Sequence, residues 1–144
     1  MLNIIKKDIT SVTTGVIAHQ VNCTNHIGSG VAKAIITKWP IVKVKYHEWC
    51  NLRTSDELIG TIQIVSISND LMVVNCFSQK DKGYDGKLYT DYSSIRKCLE
   101  SIKTLKLSPL YIPYKMGCGL GGGDWNVVSG ILNEVCPEVI ICAI

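Results

Sequence analysis

The chain has no apolar run near the ~20 residues that a bilayer-spanning helix needs. It also has no CxxC pair and no Cys/His group at metal-ligand spacing, although seven cysteines are scattered along its 144 residues. An odd, unpatterned set of this kind points to reduced, buried thiols in a cytoplasm, and away from a disulfide or zinc framework. A strong charge of either sign is missing: the net charge is +3 and the lysines are dispersed. Such a balance helps attract an anionic ligand but leaves no footprint for specific nucleic-acid binding. The opening Met1-Leu2-Asn3-Ile4-Ile5-Lys6-Lys7 puts its charge after the apolar part, unlike a secretion signal. No internal repeat, low-complexity tract or linker divides the sequence, so residues 1–144 read as one domain. A hydrophobic fraction of 47% excludes a disordered chain.

What the sequence has instead is glycine in one place. Gly117 to Gly123 holds five glycines in seven residues. It follows an apolar segment, Tyr111-Ile112-Pro113, and precedes an amphipathic one beginning at Trp125. Glycine loses backbone entropy and adds nothing to a core, so this density implies a sharp turn or a close approach to a ligand. Where a strand ends and a helix begins, free N–H groups and the helix dipole favour an anion. A smaller copy occurs at Gly28-Ser29-Gly30, where the glycines serve either helix packing or phosphate contact. Two such loops suggest a cleft that grips a diphosphate from both sides.

The rest reads as scaffold. Strands are expected at 2–5, 16–21, 61–67, 71–77, 110–113 and 138–144. Helices are expected at 31–38, 40–50, 89–105 and 125–136, with 51–58 and 78–87 as loops. Pro40 suits a first helical position, and Asn69-Asp70 a hairpin turn. The inward faces are Val31, Ala34 and Ile35; Val42, Tyr46, Trp49 and Cys50; Tyr92, Ile95, Leu99, Ile102 and Leu105; and Trp125, Val128, Leu132 and Val135. Strands alternating with helices around one hairpin give an α/β fold: a three-layer α/β/α sandwich on a mixed, mostly parallel sheet.

Three familiar site types are missing from the glycine loops. No Gly-Lys-Ser/Thr follows, so there is no Walker loop, and there is no clean GxGxxG with an acidic residue ~20 positions on. No Cys-x5-Arg cradle accompanies Cys118, which reads as a small packing residue. Without a metal cluster, metal-dependent phosphatase chemistry and a metal cofactor are not expected.

Asp8-Ile9-Thr10, Val21-Asn22-Cys23, Gly28-Ser29-Gly30-Val31-Ala32, Asn75-Cys76-Phe77-Ser78-Gln79 and Met116 to Trp125 together resemble a macro domain. They are most similar to the branch of ADP-ribose-1''-phosphate phosphatases and the terminal ADP-ribose protein glycohydrolase. The resemblance runs along the whole chain, and the two glycine loops are its specific part. It implies ADP-ribose in a cleft above the sheet. Asp8 and the Ile9 backbone would meet the adenine, with Ile144 flanking it. Gly28, Ser29, Gly30 and Val31 would face Gly117, Cys118, Gly119, Leu120 and Gly121 across the diphosphate and distal ribose, with Gln79 lining the cleft.

For catalysis the resemblance points to His19, Asp124 and Asn22. Each also has a structural reading: a buried strand histidine, a helix N-cap and a satisfied strand-end amide. His26 either touches the distal phosphate or sits in solvent. The glycohydrolase pattern wants a lysine where Gln79 stands, with Lys80 next to it, and an aspartate where Gly121 stands. A lysine-adduct mechanism therefore lacks its residues. The expected function is hydrolysis of ADP-ribose derivatives, foremost the 1''-phosphate of ADP-ribose-1''-phosphate. The alternatives are a non-catalytic ADP-ribose reader and a mono-ADP-ribosyl-protein glycohydrolase. Expected partners are ADP-ribose, its 1''-phosphate or an ADP-ribosylated protein, with the chain a cytoplasmic monomer away from membranes.

Overall fold

Strand β2, Gly15–Asn22, lies at the centre of the sheet, and its residues alternate between two apolar faces. Val16 and Ala18 pack to one side, and Ile17 and Val21 to the other. A strand apolar on both faces must be covered twice, and that need dictates the layers. The computed structural model describes residues 2–144.

The sheet has six strands. In chain order they are β1 (Asn3–Lys6), β2, β3 (Ile62–Ser66), β4 (Leu71–Gln79), β5 (Leu110–Pro113) and β6 (Ile140–Ala143). Their spatial order is β1-β6-β5-β2-β4-β3, parallel throughout except for the β3–β4 hairpin. Helices α1 (Gly30–Lys38) and α2 (Pro40–Asn51) cover the Ile17 face through Ile35, Val42 and Tyr46. A one-turn α3 (Ser55–Leu58) adds Leu58 on that side. Helices α4 (Tyr92–Thr104) and α5 (Trp125–Val135) cover the Val16 face through Ile95, Leu99, Ile102, Val128 and Leu132. The result is the expected three-layer α/β/α sandwich on a mixed, mostly parallel sheet. No helix among the described residues is long and apolar enough to cross a membrane.

Four local expectations change. Residues 51–58 are not all loop: Thr54 and Glu57 form a capping box that nucleates α3. Helix α4 starts at Tyr92 rather than Tyr89, because Tyr89 and Thr90 give their N–H groups to the Gly121 carbonyl and Thr90 bridges to Gln79. Leu105 is exposed: the helix ends at Thr104, Lys106 turns at φ 54°, and Leu107 packs on the core instead. In α1 only Ile35 is buried, and Val31 and Ala34 face outward.

Candidate functional site

β2 and β5 are hydrogen-bonded neighbours only at Val16–Leu110 and Ile17–Tyr111. Beyond those pairs the strands part. The chain leaving β2 goes to α1 on one face, whereas the chain leaving β5 goes to α5 on the other. An α/β sheet opens a crevice at the carboxyl ends of strands where successive connections leave in opposite directions. Here that crevice is a cleft of about 700 Å³. Its walls are the loop after β2, the loop after β5 and the segment around Tyr84.

The first wall is the start of α1. Ser29 is the N-cap but its hydroxyl makes no cap bond; it lies 3.2 Å from the Tyr84 hydroxyl instead. The first helical N–H groups have no intrahelical acceptor, and Gly30, Val31 and Ala32 all line the cleft. Gly28 (φ 146°) and Gly30 (φ 57°) sit in backbone conformations that suit glycine, with open space where a Cβ would be. Neither glycine packs against protein, and both line the cleft.

The second wall explains its glycines differently. Gly117, Gly121, Gly122 and Gly123 are glycines because protein packs against them. A Cβ on Gly121 would lie 2.4 Å from Thr90 Oγ1, and one on Gly122 would lie 2.4 Å from the Lys87 carbonyl oxygen. Gly119 alone would meet nothing, and it lines the cleft. The N–H groups of Gly119, Leu120 and Gly121 have no partner among the described residues, so they are available to a ligand. The Cys118 N–H is already given to Lys115 O at 2.9 Å. Gly122→Ala, at φ 71° and against backbone, is expected to destabilise the fold by about 2–3 kcal/mol in urea unfolding.

Gln20 organises the floor beneath this loop. Its amide donates to Gln79 Oε1 at 3.0 Å and Thr90 Oγ1 at 2.9 Å, and its carbonyl accepts from Ser78 Oγ at 2.8 Å. Thr90 then donates to the Gly117 carbonyl at 2.6 Å. Neither Gln20 nor Thr90 stands out in the sequence. The available signal was one glutamine, Gln20, in an otherwise mostly apolar strand.

His19 is fully buried at the base of the cleft. Its Nε2 lies 2.6 Å from Asn75 Oδ1 and its Nδ1 has no hydrogen-bond partner. Burial lowers its pKa to about 4, partly offset by the Asn75 bond, so the ring is neutral at pH 7. Asn22 lines the cleft but its side chain is engaged locally. Its Oδ1 accepts from Thr24 N and Oγ1 and from Tyr46 OH, and its Nδ2 donates to His26 O at 2.6 Å. A register shift between Val21 and Asn22 turns that side chain into the loop.

Asp124 does not line the cleft. It is the N-cap of α5, accepting from Asn126 N at 2.9 Å. Asp8, Ile9 and Ile144 also lie outside the lining. Asp8 caps a 3-10 turn at Ile9–Ser11, Ile9 is core, and Ile144 is exposed at the end of β6. Lys80 pairs with Asp56 away from the cleft. The Cys118 thiol is pushed up by burial, with Asp124 adding to the effect, which suits packing rather than nucleophilic attack.

The lining residues the sequence reading missed include Lys43, Lys82, Lys115, His47, Asn25 and Tyr84. No aspartate or glutamate is among the lining residues, while all three histidines of the chain are. Lys82 Nζ sits 5.7 Å over the Tyr84 ring. His47 Nδ1 and Asn51 hold the Asn25 amide at 2.6 and 2.9 Å. The His47 pKa is lowered by desolvation first, then by Lys43 and His26. A cleft with lysines, free N–H groups and no carboxylate carries a positive electrostatic field. No group of three or more His, Cys, Asp or Glu side chains among the described residues is placed to hold a metal.

No protein-family profile matches the chain. A phage T4 protein, the uncharacterized 17.5 kDa protein in the tk-vs intergenic region, is 26% identical over 138 residues, covering 87% of this chain and 82% of that one. A Bacteroides thetaiotaomicron protein of unknown function superposes with TM-score 0.87 at 27% identity, covering 100% of this chain and 98% of that one. A macrodomain protein from Streptomyces coelicolor superposes with TM-score 0.80 at 21% identity over 100% and 99% of the two chains. Thermosipho africanus DarTG, solved in complex with ADP-ribose, gives TM-score 0.79 at 18% identity over 98% of this chain and 41% of that one. Near-complete superposition on these structures, with the strand order and cleft above, identifies the fold of this chain as that of a macrodomain.

Proposed function

We propose that this chain binds ADP-ribose or a close derivative, with the diphosphate held between the N-terminus of α1 and the loop after β5. The observation that carries the reading is the pairing of two opposed sets of free backbone N–H groups in a cleft lined by lysines and no carboxylate. Backbone amides fix the geometry of a diphosphate, and the lysines supply long-range attraction. The fold neighbour solved with ADP-ribose supports the choice of nucleotide. The test is thermal denaturation with ADP-ribose, ADP and free ribose 5-phosphate. ADP-ribose is expected to raise Tm most, and ribose 5-phosphate least; equal shifts from all three would contradict recognition of the diphosphate.

A second reading, hydrolysis of ADP-ribose-1''-phosphate to ADP-ribose and phosphate, is favoured by the three histidines in the lining. With no carboxylate there, a histidine is the group able to move a proton near neutral pH. Phosphate release that disappears in the His26→Ala or His47→Ala variant would assign the proton carrier. Tight ADP-ribose binding without release would leave a reader. The acyl-linked glycohydrolase reading draws no support from Lys80, which is held by Asp56.

A further inference from the structure

The main-chain carbonyl of His26 can only accept a hydrogen bond, so Asn22 turns its NH2 to it, Nδ2 donating at 2.6 Å. Asn22 Oδ1 is then the acceptor for Thr24, whose N–H and hydroxyl donate to it at 3.1 and 3.0 Å. With its one proton given away, Thr24 Oγ1 can only accept from His26 Nδ1, 3.2 Å distant. A neutral His26 ring therefore carries its proton on Nδ1, and its Nε2 makes no hydrogen bond among the described residues. The side chain is exposed and lines the cleft. His47 is held in the same way. Asn25 gives Nδ2 to Asn51 Oδ1 at 2.9 Å and presents Oδ1 to His47 Nδ1 at 2.6 Å. His47 Nε2 has no hydrogen bond among the described residues and is open to solvent.

We propose that Lys43, His26 and His47 form a second anion subsite, which takes a phosphate monoester carried on a ribose of the ligand. The inference rests on the ADP-ribose reading and deepens it, adding a group that the diphosphate seat does not hold. Lys43 stands one helical turn before His47, on the same face of α2. It is exposed, lines the cleft and forms no ion pair among the described residues. Desolvation, then the charges of Lys43 and His26, hold the His47 pKa below its ordinary value, so both neighbours lie within electrostatic reach of it. The Tyr46 ring, edge-on to His47 at 5.4 Å, stays an uncharged phenol because burial pushes its pKa up. Like charges gathered with no carboxylate in the lining repel, and a bound anion removes that repulsion. A phosphoryl group presents three terminal oxygens. The three side chains answer with one ammonium and two imidazole Nε2 atoms, which become donors on taking up a proton. Helix α2 packs on α1 and β3, whereas the loop bearing Gly119 follows β5, on the far side of β2. The subsite thus lies to the β3 side of the two backbone loops and leaves their N–H groups to the diphosphate.

The test is calorimetric titration of inorganic sulfate, a dianion that does not itself titrate near neutral pH, into the wild-type chain saturated with ADP-ribose. Sulfate is expected to bind beside ADP-ribose, and more tightly at pH 5.5 than at pH 7.5, because it favours charged His47. Lys43→Gln is expected to weaken sulfate about tenfold. Lys80→Gln, which removes the same charge outside the cleft, is expected to leave sulfate affinity unchanged. His47→Phe is expected to shrink the pH dependence. Two competitors then locate the monoester: ADP-ribose-1''-phosphate carries it on the terminal ribose, and 2'-phospho-ADP-ribose on the adenosine ribose. The one whose phosphate reaches the three side chains displaces sulfate. Displacement by neither would overturn the inference, as would sulfate that ADP-ribose itself expels or that binds Lys43→Gln as well as wild type. Sulfate binding that Lys43→Gln weakens, in a chain that does not bind ADP-ribose, would keep the anion subsite and overturn the ADP-ribose reading.

Discussion

Val31→Glu is expected to weaken ADP-ribose binding at least a hundredfold without lowering stability. Val31 lies in the first turn of α1, is 40% exposed and lines the cleft. Its removal takes little from the core. A glutamate there complements the helix dipole, worth about 0.3–1 kcal/mol. The same carboxylate would sit against a ligand diphosphate in a confined site, where like charges a few ångströms apart cost several kcal/mol. Affinity and stability therefore move in opposite directions, which separates a ligand seat from a structural helix start. Calorimetric titration alongside urea unfolding checks both. A variant that loses stability and affinity together would show that the α1 start serves packing.

Acid is expected to weaken the fold well before the carboxylates titrate, and His19 is the cause. Its pKa falls from the ordinary 6.5 to about 4 because burial penalises the charged ring. Below pH 6.5 the unfolded chain takes up a proton that the folded chain refuses. Its stabilising contribution is thus complete above pH 6.5 and lost as pH falls towards 4. That interval is equivalent to about 3 kcal/mol. His47, lowered by desolvation and by Lys43, acts in the same direction. The depressed carboxyls of Asp8, Asp56 and Glu57 add their loss at lower pH. Urea unfolding at pH 7.0, 5.5 and 4.5 checks this. His19→Phe should flatten the profile between 6.5 and 4.5; an unchanged slope would place the acid sensitivity elsewhere.

The layers of the fold were legible because β2 and β4 are apolar on both faces and because Pro40, Asp124 and the hairpin at Asn69-Asp70 punctuate the chain locally. The start of α4 was not legible. Tyr89 and Thr90 are pulled into the glycine loop by the Gly121 carbonyl, a tertiary contact with no local signature. The two glycine loops were found as a pair, yet their density was misattributed. Most glycines of the second loop answer to Thr90, Gln20 and the Lys87 carbonyl, and only Gly119 is free to face a ligand by its lack of a side chain. Asp124 looked both like a cap and like an acid or base, because the same residue type suits both; its geometry is that of a cap. The buried polar chain from the Lys45 carbonyl through Gln63 and Asn75 to His19 could not be read from sequence. Its members are separated by up to 56 positions and meet only through the strand order.

Titration calorimetry of the wild-type chain with ADP-ribose tests the central claim most directly. The account predicts saturable one-to-one binding that is lost in Val31→Glu and weakens as salt rises, since lysines line the cleft. No heat of binding at millimolar ADP-ribose, from a protein that unfolds cooperatively in urea, would contradict it.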